Sequence, residues 1–165
     1  MIARSCTALI ALTLLLVPAG ATAETSTANA PIAAEATNGA SVYAPPWYLG
    51  SVNPLSTVPV DSTHYVEVTA TPGTTYTIAI GPGSNASQEG RRVRGTSARD
   101  DYLRYDVYTD EARTNPWAPV PTPTNQVQGT GTGEVQRYPV YVRIPLPQPV
   151  TPGTYSDIVQ VGVLY

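Results

Sequence analysis

Few side chains in this sequence could do chemistry, and their spacing denies most of it. Acidic residues gather at Asp100-Asp101, Asp106 and Asp110-Glu111. A calcium loop needs the order Asp-x-Asp-x-Asp-Gly, which is absent. Asp106 shares an extended-chain face with Arg104, so the group reads as a solvated, charge-balanced surface rather than a metal or acid–base site. His64 is the only histidine. Without a second His or a Cys beside it, it forms neither a common zinc site nor a recognisable Ser-His-Asp arrangement. The nine basic residues are all arginine, which removes Schiff-base and lysine-nucleophile chemistry. Arg91, Arg92 and Arg94 stand near Glu89, Asp100 and Asp101 and read as loop anchors donating to carboxylates or carbonyls, ahead of an anion site. The run Gly129-Thr130-Gly131-Thr132-Gly133 lacks the Lys-Ser or Lys-Thr ending of a phosphate cradle and precedes a strand pattern, so a turn or bulge is expected there. Asn85-Ala86-Ser87 matches the glycosylation pattern, a common match that carries little alone. No catalytic residue, metal site or cofactor is expected, and the chain does not read as an enzyme.

The elements that would hold these residues are strands. The chain has 165 residues, 42% hydrophobic and only 13% charged, enough for one ordinary domain with a core. Seventeen Pro, 13 Gly and 11 Tyr favour many short strands and tight turns over helices. A net charge of −3 offers no positive field for nucleic acid or anionic lipid. Residues 1–23 read as a secretory signal: Arg4, an apolar stretch from Ala8 to Val17, then Pro18 and the small-residue run ending at Ala23. The apolar stretch is shorter than the roughly 20 residues of a spanning helix, and the mature chain is expected to have no transmembrane segment. Cys6 lies before that stretch, so the mature chain is expected to hold no cysteine at all.

Beyond the signal, residues 24–39 form an N-terminal extension. In it Ala28, Ala30, Ile32, Ala34 and Ala36 fall on one side of an extended chain. Two readings stand: a strand that needs a partner to hold it, or a leader without regular structure. Residues 40–165 form the domain. An aromatic edge strand is expected over Ser41 to Leu49, and a hairpin from His64–Ala70 through Pro72-Gly73 to Thr74–Ile80. A long loop follows over Gly81–Gly95, then one strand over Tyr102–Tyr108 with Leu103, Tyr105 and Val107 on its inner face. Pro-rich irregular chain over Asn115–Thr124 leads to a strand over Val135–Ile144. A last strand is expected over Thr154–Tyr165, where Val159, Val161, Val163 and Tyr165 share a face. That pattern runs to the final residue, which leaves an edge open for another strand.

Several segments together resemble the spore coat protein U domain family, which includes subunits of archaic chaperone–usher pili. They are Tyr48-Leu49-Gly50, Tyr76-Thr77-Ile78, Gly90-Arg91-Arg92, Leu103 through Asp110, Gly129 through Gly133, Val140 through Ile144 and Pro152 through Asp157. The resemblance implies an all-β fold, a single incomplete immunoglobulin-like β-sandwich lacking its last strand. It also implies donor-strand exchange: a periplasmic chaperone lends the missing strand, and the N-terminal segment of a neighbouring subunit replaces it at an outer-membrane usher. On that basis Val159, Val161, Val163 and Tyr165 are the expected acceptor groove, and Ala28, Ala30, Ile32, Ala34 and Ala36 the expected donor. The expected place of such a protein is the periplasm in transit and then the cell surface. The family's usual disulfide is missing, because its positions are occupied here by Ala40 and Ala70, and its Trp-Gly pair is Trp117-Ala118. Two other expectations remain open: an envelope or spore coat component that self-associates without a pilus, and a carbohydrate- or surface-binding module using exposed Trp47, Tyr48 and Trp117.

Overall fold

The computed structural model describes residues 32–96, 101–118 and 126–165. The signal segment, Ala28, Ala30, Asp100 and most of the proline-rich stretch lie outside these. The chain divides into two units, Met1–Glu35 and Ala36–Tyr165, and every described strand belongs to the second. These are β1 (Ala40–Tyr43), β2 (Val60–Ala70), β3 (Thr75–Ile80), β4 (Arg92–Gly95), β5 (Tyr102–Arg104), β6 (Asp106–Tyr108), β7 (Val127–Thr130), β8 (Gln136–Ile144), β9 (Tyr155–Ser156) and β10 (Val161–Leu164). No helix occurs among the described residues, so none there is long and apolar enough to cross a membrane.

The strands form a four-stranded sheet in the order β1-β2-β8-β6, with two three-stranded sheets ordered β10-β3-β7 and β5-β4-β9. All pairings are antiparallel. Alternation decides what is buried. Val66, Val68 and Ala70 of β2, Val140, Val142 and Ile144 of β8, and Val107 of β6 turn inward from the first sheet. Tyr76, Ile78 and Ile80 of β3, Val93 of β4 and Leu103 of β5 meet them from the other side, with Tyr105 and Trp117 completing the core. Each such aliphatic side chain contributes about 1.5–3 kcal/mol on burial, and that sum holds the layers together.

The structure departs from the sequence expectations in several places: the aromatic edge strand expected over Ser41 to Leu49 ends at Tyr43. β2 and β3 are consecutive but form no hairpin ladder, because they belong to different sheets. Both carry inward apolar rows, so facing each other across the interior buries more than lying side by side. The turn between them is tight: the Thr74 N–H donates to the Thr71 carbonyl at 3.0 Å, and Gly73 takes φ 82°, as position three of a type II turn after Pro72 requires. The expected Gly81–Gly95 loop ends in a real strand, β4. The expected single strand over Tyr102–Tyr108 is two, because the chain changes sheet at Tyr105, whose N–H donates to Arg91 O at 3.1 Å. The last strand is likewise broken into β9 and β10, each pairing in a different sheet.

The glycine run is also more than a turn. Gly129 and Thr130 belong to β7, and a Cβ at Gly129 would strike the Tyr76 ring and the Tyr138 hydroxyl. At Gly131 it would strike the backbone of Thr71 and Ala70. Glycine is needed there for close approach.

Ala40 lies directly opposite Ala70 in the β1–β2 ladder. The Thr71 N–H donates to Gly39 O at 2.9 Å, which makes Ala40/Ala70 a non-hydrogen-bonded pair, with Cα atoms about 4.5 Å apart by ladder geometry. That separation lies within disulfide range. The double variant Ala40→Cys/Ala70→Cys is therefore expected to close a loop of about 30 residues and add about 3–4 kcal/mol. The check is a rise in urea midpoint that reductant cancels.

Candidate functional site

The candidate site lies where two sheet edges meet. β1 ends the four-stranded sheet, and β10 ends the sheet containing β3. Their Cα atoms come within 8 Å, yet β1 and β10 share no ladder. Register shows which backbone groups face this seam. In the β3–β10 ladder Gly162 opposes Ala79, and the Gly81 N–H donates to Gln160 O at 2.8 Å just beyond it. Antiparallel alternation then turns Gln160, Gly162 and Leu164 toward β3, and Val159, Val161, Val163 and Tyr165 toward the seam. The same reasoning from the Thr71–Gly39 bond turns the N–H and C=O of Ala40 and Val42 into the seam from the other side.

The side chains follow. Val159, Val161 and Val163 are half-buried against the core, as are Ala40, Val42 and Ala44 of the opposite edge. Tyr165 is exposed and takes no part in that packing. The seam thus has apolar walls and two rows of outward backbone donors and acceptors. Inserting a strand between two others requires them to stand about 9.6 Å apart, twice the ladder spacing, so these edges must part to admit one. Of the expected donor residues, Ile32, Ala34 and Ala36 are exposed and lie in no strand; Ala28 and Ala30 lie outside the described residues.

Polar side chains hold the loop after β3 and the segment between β9 and β10 in place. Arg91 is buried and donates from Nε to Gly81 O at 3.0 Å, from Nη1 to Trp117 O at 3.0 Å and from Nη2 to Ile80 O at 2.8 Å. Burial lowers its pKa, and the nearby Tyr105, Asp106 and Asp157 oppose that. Asp157, between β9 and β10, accepts the Tyr105 hydroxyl at 2.9 Å and both the backbone and side-chain N–H of Asn85 at 3.1 and 2.9 Å. Burial, then the Asp157 charge, pushes the Tyr105 phenol well above its ordinary value. Arg92 Nε donates to Asn85 O at 3.0 Å. Arg91 and Arg92 therefore anchor loops through carbonyls. The side-chain N–H of Asn85, which glycosylation would need, is engaged by Asp157 and Ser156 O.

The remaining candidates are structural in their contacts. Arg104 and Asp106 pair at 3.1 Å on the surface. Asp110 accepts from the backbone of Thr114 and Asn115 and from the Thr114 hydroxyl, closing a turn. No group of three metal-ligating residues occurs among the described residues. The carbohydrate-platform expectation fails at Trp117, which is 1% exposed and packed in the core, and Trp47 is half-buried against His64; only Tyr48 is open, at 83%. Aromatic size alone does not tell a platform from a core residue.

The Trp47–His64 stack gives a pH prediction. The rings lie 5.7 Å apart at 17°, and His64 Nε2 meets Ser62 Oγ at 3.1 Å. Burial lowers the His64 pKa. The unfolded chain therefore takes up a proton more readily, so this contribution is complete above about pH 6.5 and is lost as pH falls through the lowered folded value. Urea midpoints are expected to fall between pH 7 and pH 5 in the wild type. The slope should flatten in His64→Gln. Asp61, held low chiefly by its hydrogen bond from Arg143, acts only at more acidic pH.

A Spore Coat Protein U domain model matches residues 22–162. The chain belongs to that family. Among solved structures, this spore coat protein U domain is similar to a chain in the crystal structure of the CsuC–CsuE chaperone–tip adhesion subunit pre-assembly complex, from the archaic chaperone–usher Csu pili of Acinetobacter baumannii. The likeness has a TM-score of 0.53 at 19% identity and covers 78% of the present chain. It spans 40% of that chain's length, and at this identity it establishes the immunoglobulin-like pilin fold alone. No curated protein matches the chain.

Proposed function

We propose that this spore coat protein U domain is an exported structural subunit of a bacterial surface fibre or coat, assembled by donor-strand exchange. The observation that carries the reading is the seam. Two edge strands face each other without pairing, with apolar side chains inward and the backbone groups of Val159, Val161 and Val163 turned outward. An added strand would gain hydrogen bonds on both sides and cover the half-buried valines. A periplasmic chaperone is the first donor, an outer-membrane usher the place of exchange, and the segment 24–39 of a neighbouring subunit the final donor. Ala28, Ala30, Ile32, Ala34 and Ala36 would face the interior of the acceptor. Small donor side chains suit a seam that opens only partly. Membership of the family and the fold shared with the Csu complex support this reading.

The test is co-production of the exported chain with the chaperone and usher of its own cell. The expected result is a stable one-to-one chaperone complex and surface-exposed polymers that disappear when the usher is removed. A chain that is exported, folded and monomeric with neither protein present would overturn it.

A further inference from the structure

Edge strands attract other strands, and this fold blocks several of its own. The edge of β5 is closed by the Gln148 amide, which accepts the Arg104 N–H at 2.8 Å and donates to Arg104 O at 3.0 Å. The edge of β6 is covered by residues 115–117, with Trp117 N–H on Val107 O at 2.7 Å and Thr109 N–H on Asn115 O at 3.0 Å. On β9, the Asn85 side chain takes Ser156 O. β1 and β10 face each other across the seam. β7 is different: it ends its sheet, opposite β10, and among the described residues it pairs only with β3.

Although β7 is short, the chain there lacks two of the usual defences, charge and proline. Gln126-Val127-Gln128-Gly129-Thr130 has no charge and no proline. Its register also suits itself. The Gly131 N–H donates to Thr74 O at 2.8 Å, and the ladder pairs Tyr76 with Gly129 and Ile78 with Val127. Alternation then directs the N–H and C=O of Val127 and Gly129 to β3, and those of Gln126, Gln128 and Thr130 to the open edge.

We infer that the β7 edge is a second association site, through which this chain pairs with a second copy of itself about a two-fold axis beside Gln128. In that register Gln128 opposes Gln128 of the other copy, and Gln126 opposes Thr130 in both directions. Every residue involved already points its backbone groups outward, so about six hydrogen bonds form without breaking any internal one among the described residues. The facing side chains Gln126, Gln128 and Thr130 are neutral and meet without repulsion. This site lies at the opposite end of the sheet from the seam and does not depend on strand exchange there.

Disulfide trapping tests it, since it captures a weak contact. In the full-length chain carrying Cys6→Ser, Gln128→Cys places two thiols at a hydrogen-bonded pair, with Cα atoms about 5.5 Å apart, within disulfide range. Under mild oxidation the exported Gln128→Cys chain is expected to form a dimer linked 128 to 128, about tenfold or more faster than Thr63→Cys on the outer face of β2. Gln126→Cys alone, with its thiols about 13 Å apart in this register, should not link to itself, but should link to Thr130→Cys when the two are mixed. Linking of Gln128→Cys no faster than the Thr63→Cys control, or of Gln126→Cys to itself as fast as to Thr130→Cys, overturns the proposal. Reductant releases this link and leaves any strand-exchanged polymer intact, so the two readings fail separately.

Discussion

Replacing Arg91 with alanine is expected to destabilise the domain by about 3–5 kcal/mol, a large part of the 5–15 kcal/mol typical of such a domain. One guanidinium satisfies the carbonyls of Gly81, Ile80 and Trp117 inside the protein. Removing it leaves those acceptors buried without partners, at about 1–3 kcal/mol each, less what water recovers. The three carbonyls also belong to different parts of the fold: the end of β3, the loop after it, and the segment that seats Trp117. Arg91→Lys should restore only part of the loss, because a single ammonium lacks the planar fork that spans all three. The measurement is urea unfolding of both variants against wild type, read as a drop in midpoint at unchanged m value. A loss below about 1 kcal/mol for Arg91→Ala would mean that solvent reaches these carbonyls freely.

The second large effect is on assembly. Val161→Asp puts a carboxylate on the inner wall of the seam, where an added strand would bury it without a partner, and is expected to lower surface polymer by about a hundredfold. That variant could also weaken the isolated fold. Val163→Pro separates the two effects. The Val163 N–H faces the seam and not β3, so proline there removes no internal hydrogen bond among the described residues and is tolerated as on any edge strand. It should leave the unfolding free energy, read from urea titration, within about 1 kcal/mol of wild type while cutting polymer by about tenfold or more. Gln160→Asp, exposed and turned away from the core, should assemble as wild type. Normal polymer from Val161→Asp and Val163→Pro together would remove β10 from the assembly site.

Alternation made most of the fold legible. The inner rows Val66-x-Val68-x-Ala70, Tyr76-x-Ile78-x-Ile80 and Val140-x-Val142-x-Ile144 are written in period two, and the structure buries those residues. Pairing partners were less legible. Period two says which face is buried but not which sheet a strand joins, so the β2–β3 turn reads as a hairpin although it crosses between layers. The change of sheet at Tyr105 was hidden for the same reason, since Leu103, Tyr105 and Val107 keep their alternation through it. The inward packing of Val159, Val161 and Val163 could be read from their spacing, whereas the exposure of Tyr165 could not: its side chain continues the period but lies past the packed layer. Asp157, Asn85 and Arg91 were visible as letters, within the segments quoted for the resemblance or the glycosylation pattern. Asn85 and Asp157 tie loop 81–91 to the last strand through contacts more than 70 residues apart, while Arg91 ties that loop to the end of β3 and to Trp117.

Amide hydrogen exchange at Val159, Val161 and Val163 tests the strand-exchange account most directly, measured on the exported chain before and after assembly. These three amides face the seam, whereas Gly162 and Leu164 already face β3. The account predicts that all three exchange quickly in the unassembled chain and slow by about a hundredfold or more on assembly, as a partner strand takes them up, with little change at Gly162 and Leu164. Slow exchange at the three valines before assembly, or no slowing after it, would contradict it.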